Sequence, residues 1–192
     1  MMPPLDDYAD LMPVIDEWEK GQAEFLGKLL YDTLKPAWVI DWGCASGLYL
    51  LPFKERGSRV VGVDAEPTAG QLLSADEYVA FDIRKPAPPK WRYDLALCIE
   101  TAEHLQPEYA DQLVSNVAQS ADTVFWSAAG VGQGGTHHYN MQPQAYWLEK
   151  FVAKGFGMHP SHSDILYAIA KNPECQKVCW LLTNAMLLGR TL

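Results

Sequence analysis

The 192-residue sequence predicts an α/β fold, in which a doubly wound, mostly parallel β-sheet carries helices on both faces. Short apolar or β-branched segments alternate along the chain with longer segments of three- and four-residue apolar periodicity, the pattern of βαβ units. A glycine-rich turn follows the first short segment. No internal repeat, low-complexity segment or interdomain linker is visible. We therefore expect a single domain over residues 1–192, with an N-terminal helical segment (1–34) and a ligand-binding core (35–192).

The first predicted elements are a long helix, a strand and a second helix. Apolar residues such as Trp18, Phe25 and Leu29 recur at helical spacing over residues 13–34, and Pro36 ends this helix. The apolar segment 38–41 predicts a short buried strand. A helix is expected over residues 47–56, with Gly57 as its C-terminal stop.

The remaining elements continue the alternation. β-branched and apolar segments predict strands over 59–64, 78–83, 93–99 and 122–128, and a last strand within 178–188. Periodic segments predict helices over 68–73, 107–120, 143–154 and 165–170. A proline-rich connection, 84–92, and a glycine-rich loop, 130–135, separate some of these elements.

Composition and charge narrow the class of protein. The hydrophobic content of 48% with 20% charged residues is that of a globular chain. The net charge of −9 argues against a nucleic acid partner, because phosphate backbones are bound by basic surfaces. The four cysteines form no CxxC pair, so we expect reduced thiols. No signal peptide or membrane-spanning segment is apparent, and we expect a cytoplasmic protein without a membrane partner.

The turn DWGCASG, residues 41–47, is the first candidate site. Gly43 and Gly47 let the backbone approach a ligand closely, since no Cβ intervenes. Ala45 occupies the place of the middle glycine in G-x-G-x-x-G, which disfavours a dinucleotide pyrophosphate. The alternative is a tight strand-to-helix turn that binds nothing.

Two further acidic residues end the next strands of the predicted sheet. Asp64 lies 23 residues after Asp41, where a carboxylate can accept hydrogen bonds from both hydroxyls of a ribose. Asp82 ends the third strand and can accept a hydrogen bond from an adenine amino group. Each acid taken alone can equally be a helix N-cap or a turn residue.

Four stretches together resemble the motifs of class I S-adenosylmethionine-dependent methyltransferases. They are VIDWGCASG, VVGVDAEP, AFDIRKP and YDLALCIETAEHL, and the resemblance spans about residues 39–156. It implies a Rossmann-like sheet of seven strands, the last one antiparallel, with S-adenosylmethionine as cofactor of the core 35–192. It also implies that the segment 178–190 supplies the seventh strand. The cofactor-binding residues carried over are Asp41, Gly43, Cys44, Ala45, Ser46, Gly47, Asp64, Ala65, Asp82, Ile83, Ile99 and Glu100.

Methyl transfer to a hydroxyl requires a base, for which histidine is the usual residue. The candidates are His104 with Glu100, after the fourth strand, and His137 and His138 in the loop after the fifth. His104 can instead simply open the following helix. Which of His137 and His138 acts stays open, and we expect His159 and His162 to be solvated loop residues.

A metal site is an alternative that we do not expect. Glu100, Glu103, His104 and His138 resemble the ligand set of small-RNA 3′-terminal 2′-O-methyltransferases, and carboxylate with imidazole suits Mn²⁺, Fe²⁺ or Zn²⁺.

The sequence therefore favours an S-adenosylmethionine-dependent methyltransferase that modifies an oxygen or another heteroatom of a small molecule or glycan. Tyr139, Tyr146 and Trp147 either line an acceptor pocket or, as we favour for the last two, form the core face of a helix. The alternatives are a metal-assisted RNA 2′-O-methyltransferase and a catalytically silent cofactor-binding subunit. A homodimer is compatible with so short a chain.

Overall fold

A seven-stranded β-sheet forms the centre of the protein. The structure is a computed structural model that describes residues 8–66, 68–88, 92–178 and 180–191. Its strands are β1 (Trp38–Trp42), β2 (Arg59–Asp64), β3 (Tyr78–Ala80), β4 (Leu95–Ile99), β5 (Thr123–Ser127), β6 (Phe156–Met158) and β7 (Met186–Arg190).

The strand order is β3-β2-β1-β4-β5-β7-β6. The pairs β1–β2, β1–β4, β2–β3 and β4–β5 are parallel, whereas β7 runs antiparallel to both β5 and β6. The order reverses between β1 and β4, so the carboxyl ends of these strands flank the crevice where such sheets bind ligands. The predicted doubly wound α/β fold with an antiparallel last strand is confirmed.

Helices cover both faces of the sheet. They are α1 (Tyr8–Leu34), α2 (Leu51–Glu55), α3 (Ala110–Ser120), α4 (Gln144–Val152), α5 (His162–Lys171), α6 (Pro173–Val178) and α7 (Trp180–Asn184). Alternate strand residues face opposite cores: Val39 packs in a cluster with Leu26 of α1, and Ile40 in a cluster with Val114 of α3. One face thus carries α3 and α4, and the other carries α1, α2, α5, α6 and α7.

Helix α1 ends where the sequence predicts. The amide of Lys35 donates to the Tyr31 carbonyl at 2.8 Å, and Lys35 adopts a left-handed backbone with φ of 50°. Pro36 follows and cannot continue the helix. The helix packs on α2 and α6, which places its N-terminal half beside the turn after β1.

Three parts of the predicted element order are wrong. Residues 68–73 form turns rather than a helix, because Gly70 takes a φ of 72°. The predicted strand 178–188 is split into α7 and β7, since its apolar run suits a buried helix as well as a strand. Strand β6 and helix α6 were not predicted, because three and six residues carry too little periodicity.

The structure bears on two further predictions, which concern membrane-spanning segments and the state of the cysteines. Within the described ranges, no helix combines the length and apolar character needed to cross a membrane. Cys44, Cys98 and Cys175 are buried free thiols, while Cys179 lies outside the described residues.

Candidate active site

The glycine turn after β1 is anchored to β2. The amides of Gly43 and Cys44 both donate to the Val63 carbonyl, at 2.8 and 3.1 Å. Gly43 and Gly47 have φ values of 79° and 94°, in the region that glycine adopts without penalty. A Cβ built on Gly43 would lie 2.2 Å from the Thr101 methyl group, so no larger residue fits there.

Asp64 supports the turn from the end of β2. The amide of Ala45 donates to Asp64 Oδ2 at 3.1 Å, and the amide of Glu66 donates to Oδ1 at 3.0 Å. Each carboxylate oxygen keeps a second lone pair, so the half-buried group can still accept ribose hydroxyls. Burial raises the pKa of Asp64, although these backbone donors oppose the shift.

Asp41 lies beneath the turn with only 2% of its surface exposed. Its Oδ1 atom has no hydrogen-bond partner among the described residues. Burial, reinforced by repulsion from Asp64, raises the pKa of Asp41 to about 7. An unsatisfied buried carboxylate at a strand end is costly, and a cationic or hydrogen-bond-donating ligand group at the turn would relieve that cost.

Helix α1 brings polar residues to the turn. The Ser46 hydroxyl donates to Asp16 Oδ1 at 2.6 Å, and the Gln22 side-chain amide donates to the Tyr49 hydroxyl at 2.7 Å. Burial raises the pKa of Glu19 to about 7, and the carboxylates of Glu100 and Asp16 add to this shift. Neither Asp16 nor Glu19 was a candidate site residue in the sequence.

The predicted adenine-side residues have different surroundings. The Arg84 guanidinium donates to both oxygens of Asp82, at 2.8 and 3.0 Å, and lowers the pKa of that carboxyl. Ile83 and Ile99 are buried, whereas Ala65 is exposed next to Asp64. An adenine amino group could therefore donate only to those lone pairs of the Asp82 carboxylate that do not accept a hydrogen bond from Arg84.

Glu100 follows β4 in a left-handed conformation with φ of 46°. Its amide donates to the Ser127 carbonyl at 3.1 Å, which fixes it between β4 and β5. The carboxylate accepts hydrogen bonds from the side-chain amides of Gln133, at 3.0 Å, and Asn184, at 3.4 Å. Burial raises its pKa, while these donors and Ser127 oppose the shift.

Glu103, His104 and His138 form a second cluster. One ligand atom from each lies within 4.8 Å of those of the other two. Glu103 is fully buried, with 0% exposed surface, and neither carboxylate oxygen makes a hydrogen bond of normal geometry within the described part of the chain. Its pKa is raised to about 8, by burial and then by the neighbouring Glu100.

Both histidines of this cluster favour the neutral form. The rings of His104 and His138 meet edge to face with centroids 4.8 Å apart. Desolvation lowers the pKa of each, and for His104 the neighbouring His138 adds to the shift. Neutral imidazoles offer lone pairs at neutral pH, either to a proton or to a divalent ion. Glu100 lies outside this three-residue ligand group and faces Gln133 and Asn184 instead.

The other histidines lie elsewhere. His137 is exposed, with its ring stacked on Tyr139 at 6.2 Å between centroids. His159 lies in a loop, as predicted, and His162 begins α5, and both are half-buried rather than fully solvated. Nδ1 of His159 accepts from the Ser161 amide, and Nδ1 of His162 accepts from the Leu187 amide of β7, both at 3.1 Å.

The aromatic residues of α4 belong to the core. Trp147 and Phe151 are buried against Trp126 of β5, with ring centroids 5.1 and 5.0 Å from it. Tyr146 packs on Trp147 at the edge of the same cluster. This supports the interpretation that Tyr146 and Trp147 form the core face of a helix. Of the three residues proposed to line an acceptor pocket, only Tyr139 is largely exposed.

Fold and turn together define the class of protein. A glycine turn after β1, an acid at the end of β2 and a seven-stranded sheet with one antiparallel strand describe a class I methyltransferase fold. A family model described as a methyltransferase domain matches residues 16–124, more than half of the chain. The chain belongs to this family, and the resemblance to class I S-adenosylmethionine-dependent methyltransferases is confirmed.

Curated relatives match a shorter segment. Ubiquinone biosynthesis O-methyltransferases of Rhodopseudomonas palustris (strain TIE-1) and Bradyrhizobium sp. (strain ORS 278) are 35% and 32% identical over 74 residues. In both, the match covers 35% of this chain and 29% of the relative, so the chain spans under a third of the length of these relatives.

Solved structures share the fold over nearly the whole chain. A chain from the complex of the Haloferax volcanii Trm112 methyltransferase activator with a methyltransferase has a TM-score of 0.67 at 12% identity, covering 98% of this chain and 99% of that one. The plantazolicin methyltransferase BpumL, solved with S-adenosylhomocysteine, has a TM-score of 0.60 at 13% identity, covering 94% and 89%. Identities this low show the shared fold alone.

Proposed function

We propose that this protein transfers a methyl group from S-adenosylmethionine to a hydroxyl oxygen of a small molecule. The observation that carries the proposal is the pair of histidine rings, His104 and His138, which meet edge to face beside the end of β4 with centroids 4.8 Å apart. The names of the curated relatives support an oxygen acceptor. A glycan acceptor fits the same chemistry.

The residues at the glycine turn fit the cofactor. When bound, S-adenosylmethionine supplies a methyl group on a positively charged sulfur and is left as S-adenosylhomocysteine. Gly43 and Gly47 add no side chains to the turn. Asp64 can accept hydrogen bonds from the ribose hydroxyls, and Asp41 has a buried oxygen without a hydrogen-bond partner among the described residues. The proposed contacts are those predicted from the sequence: Asp41, Gly43, Cys44, Ala45, Ser46, Gly47, Asp64, Ala65, Asp82, Ile83, Ile99 and Glu100.

The proposed base is His138 together with His104. With S-adenosylmethionine bound, the acceptor hydroxyl would give its proton to the imidazole of His138 or His104, and Glu100 and Glu103 would orient the groups at the end of β4. Burial and the neighbouring Glu100 raise the pKa of Glu103, which favours the protonated form of Glu103 in this carboxyl pair. His137 is a weaker candidate, since its ring faces solvent and Tyr139.

The test starts from cofactor binding. Calorimetry with S-adenosylhomocysteine establishes the site, and release of that product from S-adenosylmethionine is then followed with a panel of phenols, alcohols and sugars. We expect His138→Ala to keep S-adenosylhomocysteine affinity and to lower kcat/KM by about 100-fold or more, the usual range for loss of a general base.

Two comparisons make this test specific. His159→Asn, which keeps an acceptor where Nδ1 stands, should leave turnover unchanged. Full activity of His138→Ala and His104→Ala, with loss in His137→Ala, would move the base to His137. Tight cofactor binding without turnover of any acceptor would favour the silent cofactor-binding subunit instead.

A metal-assisted methyltransferase is the second candidate, favoured by the Glu103, His104 and His138 cluster. Three ligand atoms within 4.8 Å, two of them from neutral imidazoles, suit Mn²⁺, Fe²⁺ or Zn²⁺. Such an ion would polarise the acceptor oxygen and displace the proton of Glu103. The net charge of −9 gives no support to RNA as the acceptor.

Metal binding is tested without turnover. Elemental analysis of the purified protein and calorimetric titration with Mn²⁺ and Zn²⁺, in the presence of S-adenosylhomocysteine, should give one ion per chain. Glu103→Gln should abolish that binding and keep the S-adenosylhomocysteine affinity. Wild-type protein that binds neither ion excludes this candidate and leaves the histidine base.

A further inference from the structure

A groove opens between the loop after β5 and helix α7. Its volume is about 450 Å³, within the roughly 300–1,000 Å³ range of small-molecule sites. The lining residues are Gly130, Val131, Gly132, Gln133, Trp180, Leu182, Thr183 and Asn184. None of them was a candidate in the sequence, where the two walls lie some fifty positions apart.

The walls of the groove are apolar. Trp180 and Leu182 pack with one side against the core and line the groove with the other. Val131, on the opposite wall, is 75% exposed. The Trp180 indole N–H is buried and has no hydrogen-bond partner in the described residues. An apolar, ring-bearing molecule is the kind of ligand that such walls can cover.

The floor of the groove is polar and reaches the candidate active site. Asn184, only 8% exposed, donates to the Gln133 side-chain oxygen at 2.7 Å. The side-chain amides of both residues donate to the Glu100 carboxylate. Thr101, the next residue, hydrogen bonds to the Gly43 carbonyl at 3.4 Å. Glu100 therefore lies between the groove and the cofactor turn.

The charge at this floor selects among ligands. The Glu100 carboxylate can accept a hydrogen bond from a hydroxyl or an amine, and it repels a carboxylate of similar shape. Gln133, Asn184 and Ser127 already donate to this carboxylate, so a ligand hydroxyl would share or replace one of these donors.

We propose that this groove binds the methyl acceptor, an apolar ring-bearing molecule with no acidic group at the Glu100 end. Glu100 orients its hydroxyl group, whose proton goes to His138 as in the proposed function. The inference rests on the proposed function, since it places the acceptor beside the cofactor turn. The ring lies against Trp180, Leu182 and Val131, and the hydroxyl reaches the floor formed by Asn184 and Gln133.

The probe pair is 2-naphthol and its anionic counterpart 2-naphthoate, titrated into protein saturated with S-adenosylhomocysteine. We expect 2-naphthol to bind at least tenfold more tightly than 2-naphthoate. Glu100→Gln should narrow that difference, because it removes the repelling charge and keeps the shape of the side chain. Absence of 2-naphthol binding to wild-type protein, or equal affinity for the two probes, overturns the proposal.

The location is tested by filling the groove. Thr183 is exposed and lines the groove, so Thr183→Trp should weaken 2-naphthol binding at least tenfold. Its matched control is Ala170→Trp on the exposed surface of α5, which should leave the probe affinity unchanged.

S-adenosylhomocysteine affinity distinguishes failure of the groove assignment from failure of the proposed function. It should stay within about twofold in both tryptophan variants, because neither position touches the turn. If Thr183→Trp keeps full 2-naphthol binding, the groove assignment fails while the cofactor site stands. If wild-type protein does not bind S-adenosylhomocysteine at all, the proposed function itself fails.

Discussion

Strained single residues mark the candidate site. Among the described residues, four that are not glycine have a positive φ, namely Lys35, Ala45, Glu100 and His137. Ala45 lies in the glycine turn, Glu100 at the end of β4 and His137 in the loop that carries His138. Such conformations cost of order 1–3 kcal/mol each and persist where surrounding contacts hold them. Ala45, Glu100 and His137 follow the carboxyl ends of β1, β4 and β5, whereas Lys35 ends α1 before β1. The first three support the assignment of function to the carboxyl edge of the sheet.

Ala45 gives a stability prediction. Its φ of 48° is left-handed, a conformation that costs an L-residue roughly 1–2 kcal/mol and glycine little. Ala45→Gly should therefore raise the free energy of unfolding by roughly 0.5–1 kcal/mol after the extra chain entropy of glycine is subtracted. Urea denaturation with an unchanged m-value measures this.

The matched control for this prediction is Ala153→Gly at the end of α4. Ala153 has φ of −62°, a right-handed conformation in which glycine has no advantage. We expect that variant to lose stability. A loss of stability in Ala45→Gly as well would show that the turn backbone is not strained at this residue.

Residue-level prediction from sequence succeeds where the determinant is local. Asp41 and Asp64 lie at the carboxyl ends of β1 and β2, and Gly43 and Gly47 lie in the turn after β1, so parallel pairing brings them to one edge. Gln133 and Asn184 were missed because their role depends on contact with Glu100 across 33 and 84 positions, which no spacing rule encodes.

At the scale of elements, the sequence of α1 contains a signal for the candidate site, which is a set of polar residues on its buried face. Its buried face carries Gln22 and Ala23 beside Leu26 and Leu30, and one and two turns earlier the polar Glu19 and Asp16 continue that face. Polar residues in an apolar helical stripe indicate a site under the helix. The split of 178–188 into α7 and β7 was not predictable, because tertiary packing decides between helix and strand for a short apolar run.

The junction between α5 and β7 gives a pH prediction. His162 begins α5, and its Nδ1 accepts the Leu187 amide of β7 at 3.1 Å. Burial lowers the pKa of His162 below its ordinary value of 6.5. Protonation therefore favours the unfolded state. The stabilisation is fully present above pH 6.5 and is lost as the pH falls through the lowered value.

The variant His162→Asn tests this linkage. Asparagine keeps an acceptor oxygen where Nδ1 stands but does not titrate in this range. The free energy of unfolding measured from pH 7.5 to pH 5 should fall less steeply than in the wild type. Ser163→Ala, at an exposed position of the same helix, does not titrate in this range and serves as control, which should retain the wild-type slope. An unchanged slope in His162→Asn would remove His162 from the acid response.

For the whole molecule, cofactor binding and stability are linked. A ligand that binds only the folded state stabilises it by about 2.7 kcal/mol at 100 times its Kd. S-adenosylhomocysteine should therefore raise the Tm of the wild type in a concentration-dependent way. Asp64→Ala should weaken its binding by roughly 1.5–3 kcal/mol, the scale of hydrogen bonds to a charged group, and shrink that shift. A Tm independent of the ligand would contradict the assigned cofactor site.

The class of the sheet could be predicted from the sequence, but not all of its strands could. Alternating strands and helices led to a parallel doubly wound sheet, and the family resemblance supplied its seventh, antiparallel strand. Strand β6 escaped because Phe156–Met158 has only three residues, one of them Gly157. The single domain, the cytoplasmic location and a homodimer stay predictions.

The position of β7 has a consequence for how the protein is made. β7 follows every other strand in chain order, yet it lies between β5 and β6. On the ribosome, β1 to β5 can pair as soon as they emerge, whereas β6 has no neighbour until β7 is translated and inserted. α7 immediately precedes β7, so the wall carrying Trp180 and Asn184 is completed only after β1 to β5 have been translated. Cofactor capture can thus precede the ability to hold an acceptor.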